Sequence, residues 1–448
     1  MHDMIDDVDS RPAVRALYDR LMGLQWSDIP EQIQGRAASL VADCLAAAYA
    51  GIPTPTAKIA ADYAATVMPG DDALAWFDER RLSIEGAAFA NSVLANALDF
   101  DDGHRLSKGH PGAVIVPPAV ALAEHAGSSI EELMTAIVLG YEISIRASIA
   151  QHATRVEYHA TGSWGSIGVA SVATRLLGLS YEQFEHAVGI AEYHAPISLI
   201  MRSVDEPEMT KDAIGWGAFV GVSSARLAAA GFTGTRAEVL LAPDFATIGE
   251  TWRIDEIYVK PYPSCRWGHA SIRGAIGLRP LLETREISAV TIRTFAAAAA
   301  LSQELPTSVE RAQYSLKWPV ATALVTGGYV VDDVINGIGA GRHDPAVLAV
   351  FDRTTVAVDD AMDAAFPARR LAAVDVELSD GTVLSSDALE GFGEPGDEQW
   401  DAVVVGKVAR YLGRRPIDGP TSPSGATARF ATRDELADAL CFAFASDD

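Results

Sequence analysis

Cysteine is scarce: Cys44, Cys265 and Cys441 are the only three in 448 residues, widely spaced and odd in number. That pattern fits a reducing compartment better than a disulfide framework. Long apolar runs are missing too. No stretch offers the roughly 20 uninterrupted apolar residues of a bilayer span, and the best one, Ala113 to Ala123, is cut by Pro117-Pro118. Positive charge is in deficit, with 35 Lys and Arg against 60 Asp and Glu and a net charge of −25. The average surface therefore repels phosphate backbones and anionic headgroups, so neither nucleic acid nor a membrane is expected as a partner. The opening MHDMIDDVDS is acidic where a signal or transit peptide would be basic, and a cytoplasmic address is expected. Lysine itself is rare: Lys58, Lys108, Lys211, Lys260, Lys317 and Lys407 are all there are.

What the chain has is a globular profile, 49% hydrophobic and 21% charged, long enough for two or three domains at about 150 residues each. From Pro30 to Leu241 the periodicity is helical, with helices expected over Glu31–Gly51, Gly86–Asp99, Pro117–Ala126, Ser129–Gln151, Gly165–Leu177, Tyr181–Tyr193 and Lys211–Ala230. After Ile254 the pattern changes. Ile287 to Phe295 alternates as a strand, and Leu371 to Ser386 reads as two strands joined by Asp380-Gly381 in a type I′ turn. Helices around Ser308–Gly327 and Pro345–Phe351 complete an α+β unit. The stretch Gly391 to Gln399 reads as a linker, and Trp400 to Leu412 as a helix returning to the first domain. The expected fold is mainly α: a large all-helical domain, a helical bundle built from 1–258 and 398–448, with a smaller α+β domain over 259–397.

Four features carry chemistry. The stretch Leu98 to Gly112 packs Asp99, Asp101, Asp102, His104, Arg105, Lys108 and His110 between two helices. Carboxylate beside imidazole suits acid–base work or substrate binding, a metal site is a rival, and a solvated charged loop is the plain reading. In Tyr158 to Gly168 a histidine, His159, precedes glycines 162, 165 and 168; small residues at spacing three read as a close helix contact, and the helix start could still meet a carboxylate. The rarity of lysine singles out Lys211, read at a helix start whose dipole lowers an amine's pKa, and Lys260, at the domain junction. Lys58 and Lys407 read as ordinary retention. Finally, Lys260, Cys265, Arg266 and His269 surround two prolines, as a rigid hinge or as a base and an anion-binding arginine at a cleft. A Cys265–His269 nucleophilic pair is the least favoured option.

Four segments together resemble the MmgE/PrpD family, which includes 2-methylcitrate dehydratase, cis-aconitate decarboxylase and iminodisuccinate epimerase. They are ALDFDDGH with GHPGAVIVPPAVALAE, then YHATGSWGSIGVASVATRLLGLS, TKDAIGWGAFVGVSSARLAAAGFTG and VKPYPSCRWGHA. The resemblance implies a helical domain assembled from both chain ends, a lid domain with chorismate-mutase-like topology, a homodimer, and a cationic cleft that needs no metal or organic cofactor. By motif position Asp99, His110, His159, Lys211 and Lys260 match the family's polar active-site residues, with His269 a weaker match. Substrate contacts are expected from Arg202, Arg266, His269, Lys108, His104, Trp318 and Cys265, the two arginines as anion clamps.

Three departures stand out. Gly103 replaces a Thr, Cys265 replaces a His considered catalytic in the decarboxylase, and Trp318 replaces a Tyr. They argue against cis-aconitate decarboxylation and weaken 2-methylcitrate dehydration. The expected activity is proton abstraction α to a carboxylate of a small polycarboxylate, first as a hydro-lyase. A two-base epimerase and a non-catalytic carboxylate-binding homologue are the alternatives.

Overall fold

The computed structural model describes residues 11–155, 157–338, 343–416, 423 and 425–446. Helices Ile84–Asn96, Pro111–Ala126, Ile130–Thr154, Thr161–Leu176, Tyr181–His194 and Ile214–Ala229 pack on one another around a core of alanine, valine, leucine and isoleucine. Small residues set the spacing. A Cβ on Gly165 would lie 2.5 Å from Val114, and one on Gly168 would meet the Ser144 hydroxyl. The glycine stripe is thus a helix contact, as its spacing suggested, and the Gly162 N–H goes to the Asp212 carbonyl at 3.0 Å.

Several helix ends depart from expectation: Thr161–Leu176 begins four residues before the expected Gly165, and Ile84–Asn96 stops three before the expected Asp99. Pro111–Ala126 runs straight through Pro117 and Pro118 and begins six residues before the expected start. Each interior proline costs about 3 kcal/mol, but every residue from Pro111 to Glu124 is buried, and tertiary packing outweighs that cost. The helix expected from Lys211 starts at Ile214, because Lys211 and Ala213 adopt positive φ, +37° and +54°. Ile130–Thr154 is long and apolar enough to cross a membrane by length and composition, but 89% of that window is buried inside the protein. It is a core helix.

A second core surrounds a four-stranded sheet ordered Thr354–Val358, Ile287–Thr294, Ala372–Leu378, Val383–Ser385. The first pair is parallel and the others antiparallel. The Asp380-Gly381 hairpin is a three-residue loop rather than a type I′ turn. Gly381 alone has positive φ, at +84°, and its N–H bonds the Leu378 carbonyl at 2.9 Å, the pattern of a type I turn closed by a left-handed glycine. The expected helix over Ser308–Gly327 is two, Val309–Gln313 and Lys317–Thr326. The Ser315 hydroxyl, accepting from the Trp318 N–H at 3.1 Å, starts the second as a cap does. That break turns Tyr314 out of the helical register.

The chain returns along Trp400–Leu412, which packs on Glu31–Gly51. Trp400 Nε1 donates to the Ile257 carbonyl at 3.0 Å. Lys407 reaches Asp43 Oδ1 at 2.7 Å and the Phe100 carbonyl at 2.7 Å, so its retention is structural. Lys58, paired with Asp62 on an exposed helix face, is the ordinary surface charge it was read as.

Candidate active site

Where the two cores meet, the strand pair Gly103–His104 and Ile257–Tyr258 fastens the loop after Ile84–Asn96 to the segment carrying Lys260. The loop is pinned from within. His104 receives the Ser107 N–H at 3.1 Å and meets Glu256 at 3.1 Å, while Asp102 accepts from Gly112 N at 2.9 Å and Tyr141 Oη at 2.7 Å. Burial pushes the Asp102 carboxyl up to about 7. Four of the six described non-glycine residues with positive φ, Asp99, Lys108, Lys211 and Ala213, belong to this region. Such backbone persists only where surroundings hold it, typically at functional sites.

At the centre Lys260 Nζ sits 2.5 Å from Asp99 Oδ1 and donates to the Asp99 carbonyl at 3.0 Å. His110 lies among three carboxylates: Nε2 is 3.3 Å from Asp99 and 3.9 Å from Asp212, and Nδ1 is 3.4 Å from Asp101 and 2.9 Å from the Asp102 carbonyl. All these side chains are buried. Burial alone would lower the imidazole, but Asp101 and Asp212 hold it up to about 9, so it is a cation at neutral pH. Burial works against the Lys260 ammonium as well, yet Asp99 holds it up to about 12. Asp99 is kept far below the usual carboxylate range, against its burial, by Lys260, His110 and Lys211. Lys211 donates to the Asn96 carbonyl and to Gln313 Oε1; its amine is lowered by burial, not by a helix dipole. Burial raises Asp212. Asp99, Asp101 and His110 stand close enough to share a metal ion, but the Lys260 ammonium already answers Asp99. Carboxylates, an imidazole and an ammonium in mutual contact are a donor set that can hold and pass protons.

These groups open on a cavity of about 50 Å³ lined by five basic side chains, Lys108, His110, Lys260, Arg266 and Arg370, against two carboxylates, Asp99 and Asp212. That is room for a few waters. Of the residues expected from sequence, Asp99, His110, Lys260, Lys108, Arg266 and Cys265 line it, and Lys211 lies beside it against Gln313. The others do not. His159 stacks on His152 at 6.3 Å, with both ring nitrogens buried and without a hydrogen-bond partner among the described residues; its backbone bridges to Leu199, and it is not among the residues lining the cavity. Arg202 is exposed on the short helix Met201–Asp205, where water answers its charge, so it clamps nothing in the cavity. His104 is spent on Glu256 and Ser107. His269 is fully buried, bonding the Ser264 carbonyl at 3.0 Å and meeting Arg266 at 3.3 Å. Trp318 is buried in the sheet-side core beside His343 and Phe351. Cys265 is at the wall, but burial pushes its thiol up to about 12, so it is no nucleophile at neutral pH, with or without His269.

The sequence reading passed over Asp212, Tyr158, Tyr258, Tyr314 and Arg370, all of which line the cavity. Tyr314 was legible four residues ahead of Trp318, and it supplies the phenol that Trp318 lacks. Gly103 has its reason too. A Cβ there would lie 2.3 Å from Tyr258 Oη, so the tyrosine hydroxyl fills the space a larger side chain at 103 would need. Burial raises both phenols, which stay protonated donors. Nothing local marked Arg370, on the turn before strand Ala372–Leu378.

Residues 15–247 match the MmgE/PrpD N-terminal domain and residues 262–416 the MmgE/PrpD C-terminal domain. Human cis-aconitate decarboxylase is 25% identical over 339 residues, covering 69% of each chain. The mouse protein of that name is 23% identical over 340 residues, again 69% of each. Cis-aconitate decarboxylase of Aspergillus terreus is 27% identical over 180 residues, 38% of this chain and 36% of the relative.

Proposed function

The chain belongs to the MmgE/PrpD family, and on that premise we propose that it is a lyase releasing carbon dioxide from a small tricarboxylate of the cis-aconitate type. One observation carries the reading: a buried His110 imidazolium, held protonated by Asp101 and Asp212 and facing a cationic cavity beside Lys260. The carboxylate on the saturated carbon next to the double bond leaves as CO2, and the electron pair of the broken carbon–carbon bond delocalises through the double bond onto the neighbouring carboxylate as an allylic, enolate-like anion. The cations lower the energy of that anion, and the imidazolium supplies the proton that completes the product, to be restored from water. The reaction needs a positioned acid and no strong base, which matches a site whose His110 and Lys260 are both held charged. The names of the relatives support the same reading. Tyr314 and Tyr258 answer two of the three departures that argued against it.

Dehydration is the second reading, supported by Asp212, whose carboxyl burial raises beside His110 and which would serve as its base. The two-base epimerase, drawn on Lys211, Lys260 and His159, is less favoured, because Lys260 is tied to Asp99 and His159 lies off the cavity, which leaves Lys211 alone. In this proposal 259–397 acts as a lid of chorismate-mutase-like topology over 1–258 and 398–448. The cavity is smaller than a tricarboxylate, so the lid must lift to admit one. A homodimer belongs to the same reading and is tested by light scattering.

The deciding experiment incubates the purified protein with cis-aconitate, 2-methylcitrate, citrate or iminodisuccinate in D2O and follows products by NMR with CO2 trapping. The reading expects CO2 with one deuteron fixed on carbon, and a loss of roughly 10²–10⁴ in His110→Asn. Loss of water without CO2 would establish the second reading. Exchange without either product, or no reaction on the panel, overturns both.

A further inference from the structure

The basic groups of the cavity are not equally free. Lys260 is neutralised by Asp99, Arg266 by Glu394 at 2.9 Å, and His110 is shared among carboxylates. Arg370 is different. Its Nε and Nη1 atoms are buried and have no hydrogen-bond partner among the described residues, and its guanidinium lies 5.4 Å from the centre of the Tyr258 ring. Glu394, the nearby carboxylate, is spent on Arg105 and Arg266. Buried guanidinium N–H groups without an acceptor are costly; against its burial, Tyr258 and Glu394 hold the Arg370 cation charged, and a ligand in the cavity would supply the acceptors that Nε and Nη1 lack. Lys108, whose ammonium stands 5.2 Å from the Tyr158 ring centre, has no carboxylate partner among the described residues either.

We propose that Arg370, with the Tyr258 hydroxyl beside it, is the residue that selects the substrate by binding a carboxylate remote from the bond that breaks. Lys108 takes another, and His110 and Lys260 are left to the reacting end. This rests on the polycarboxylate reading above and deepens it, because it makes carboxylate number the quantity the site measures. Arg370 sits between helix Asp360–Ala365 and strand Ala372–Leu378, while His110 opens the helix Pro111–Ala126. A ligand held by both therefore bridges the two cores. Recognition by a planar multi-donor cation also explains arginine here, where lysine would offer a point charge.

The test is independent of turnover. Binding of propane-1,2,3-tricarboxylate and of glutarate, which lacks the central carboxylate, is measured by calorimetry on the full chain and on Arg370→Lys, Arg370→Gln and Tyr258→Phe, with melting temperatures as a folding check. The wild type is expected to prefer the tricarboxylate by roughly 30-fold or more. Arg370→Gln should bring the ratio near one by weakening the tricarboxylate alone, and Arg370→Lys should recover part of it. A folded Arg370→Gln that keeps the wild-type ratio overturns the proposal. Discrimination that depends on Arg370 without any lyase activity would keep the proposal and remove the decarboxylase reading. Lyase activity indifferent to Arg370 would do the reverse.

Discussion

The wall of the cavity built around Asp99 and His110 and the wall built by the turn at Arg370 are made on opposite terms. In the first, each charge is already met inside the protein: Lys260 by Asp99, His110 by Asp101, Lys211 by Asn96 and Gln313. In the second, the Arg370 guanidinium keeps two buried nitrogens unmatched among the described residues. Internal pairing fixes protonation states and geometry before any ligand arrives, which acid catalysis requires. Unmatched polarity leaves interaction energy for a ligand to collect. On the reading proposed above, one wall would serve chemistry and the other recognition.

The largest expected break comes from Lys260→Met, which strands the buried Asp99 charge. We expect a loss of about 3–5 kcal/mol of stability in urea unfolding and a rate lowered by roughly 10³; unchanged stability would show that the pair is not the keystone of its wall. Arg370→Gln sharpens the contrast: with two guanidinium nitrogens unmatched among the described residues, its removal should lower the melting temperature far less than Lys260→Met does.

Next is Lys407→Met. It unpairs Asp43, buried within the helical core and raised by that burial, at a similar cost of about 3–5 kcal/mol. It also frees the Phe100 carbonyl between Asp99 and Asp101. In protein that remains folded, the falling limb of the pH–rate profile should move, a change that lost stability alone would not produce.

Acidity gives the third comparison. The His110 pKa of about 9 lies above its usual value of 6.5, so its contribution to stability is complete below pH 6.5 and is lost as pH rises through about 9. The rate should follow the same proton, falling about tenfold per unit above pH 9. Asp102, raised to about 7 from 3.8, adds a penalty that grows as pH rises from 3.8 and is complete above 7. Asp99, lowered, contributes stability above pH 3.8 that is lost in stronger acid. Denaturation followed across pH 4 to 10 should therefore show greater stability on the mildly acidic side, and a flat profile would contradict the charged His110. The smallest effect is expected of Cys265→Ser: a rate within about threefold of wild type, and a thiol that iodoacetamide leaves unmodified at pH 8, because burial keeps it protonated.

Much of the reactive wall was legible in the sequence. Asp99, His110, Lys211 and Lys260 stood out because carboxylates and imidazoles crowd one loop and lysine is rare elsewhere. The readings that failed did so through backbone geometry. His159 was chosen by motif and Trp318 by position, but the first stacks on His152 off the cavity, and the break between the helices Val309–Gln313 and Lys317–Thr326 leaves Tyr314, not Trp318, in the cavity wall. Helix Pro111–Ala126 was misread at its start because proline rules describe a helix in water, and this one is enclosed by protein.

The sequence by itself determined the helical majority, the family and the identity of the acid–base loop, since periodicity and local clustering are properties of neighbours along the chain. Only the tertiary structure decided that Lys260 is an ammonium paired with Asp99, that His110 is an imidazolium, and that Tyr258 and Arg370 face it. Charge state depends on burial, and encounter joins residues far apart in the chain, as Lys260 and Asp99 do across 161 positions, which no local pattern encodes.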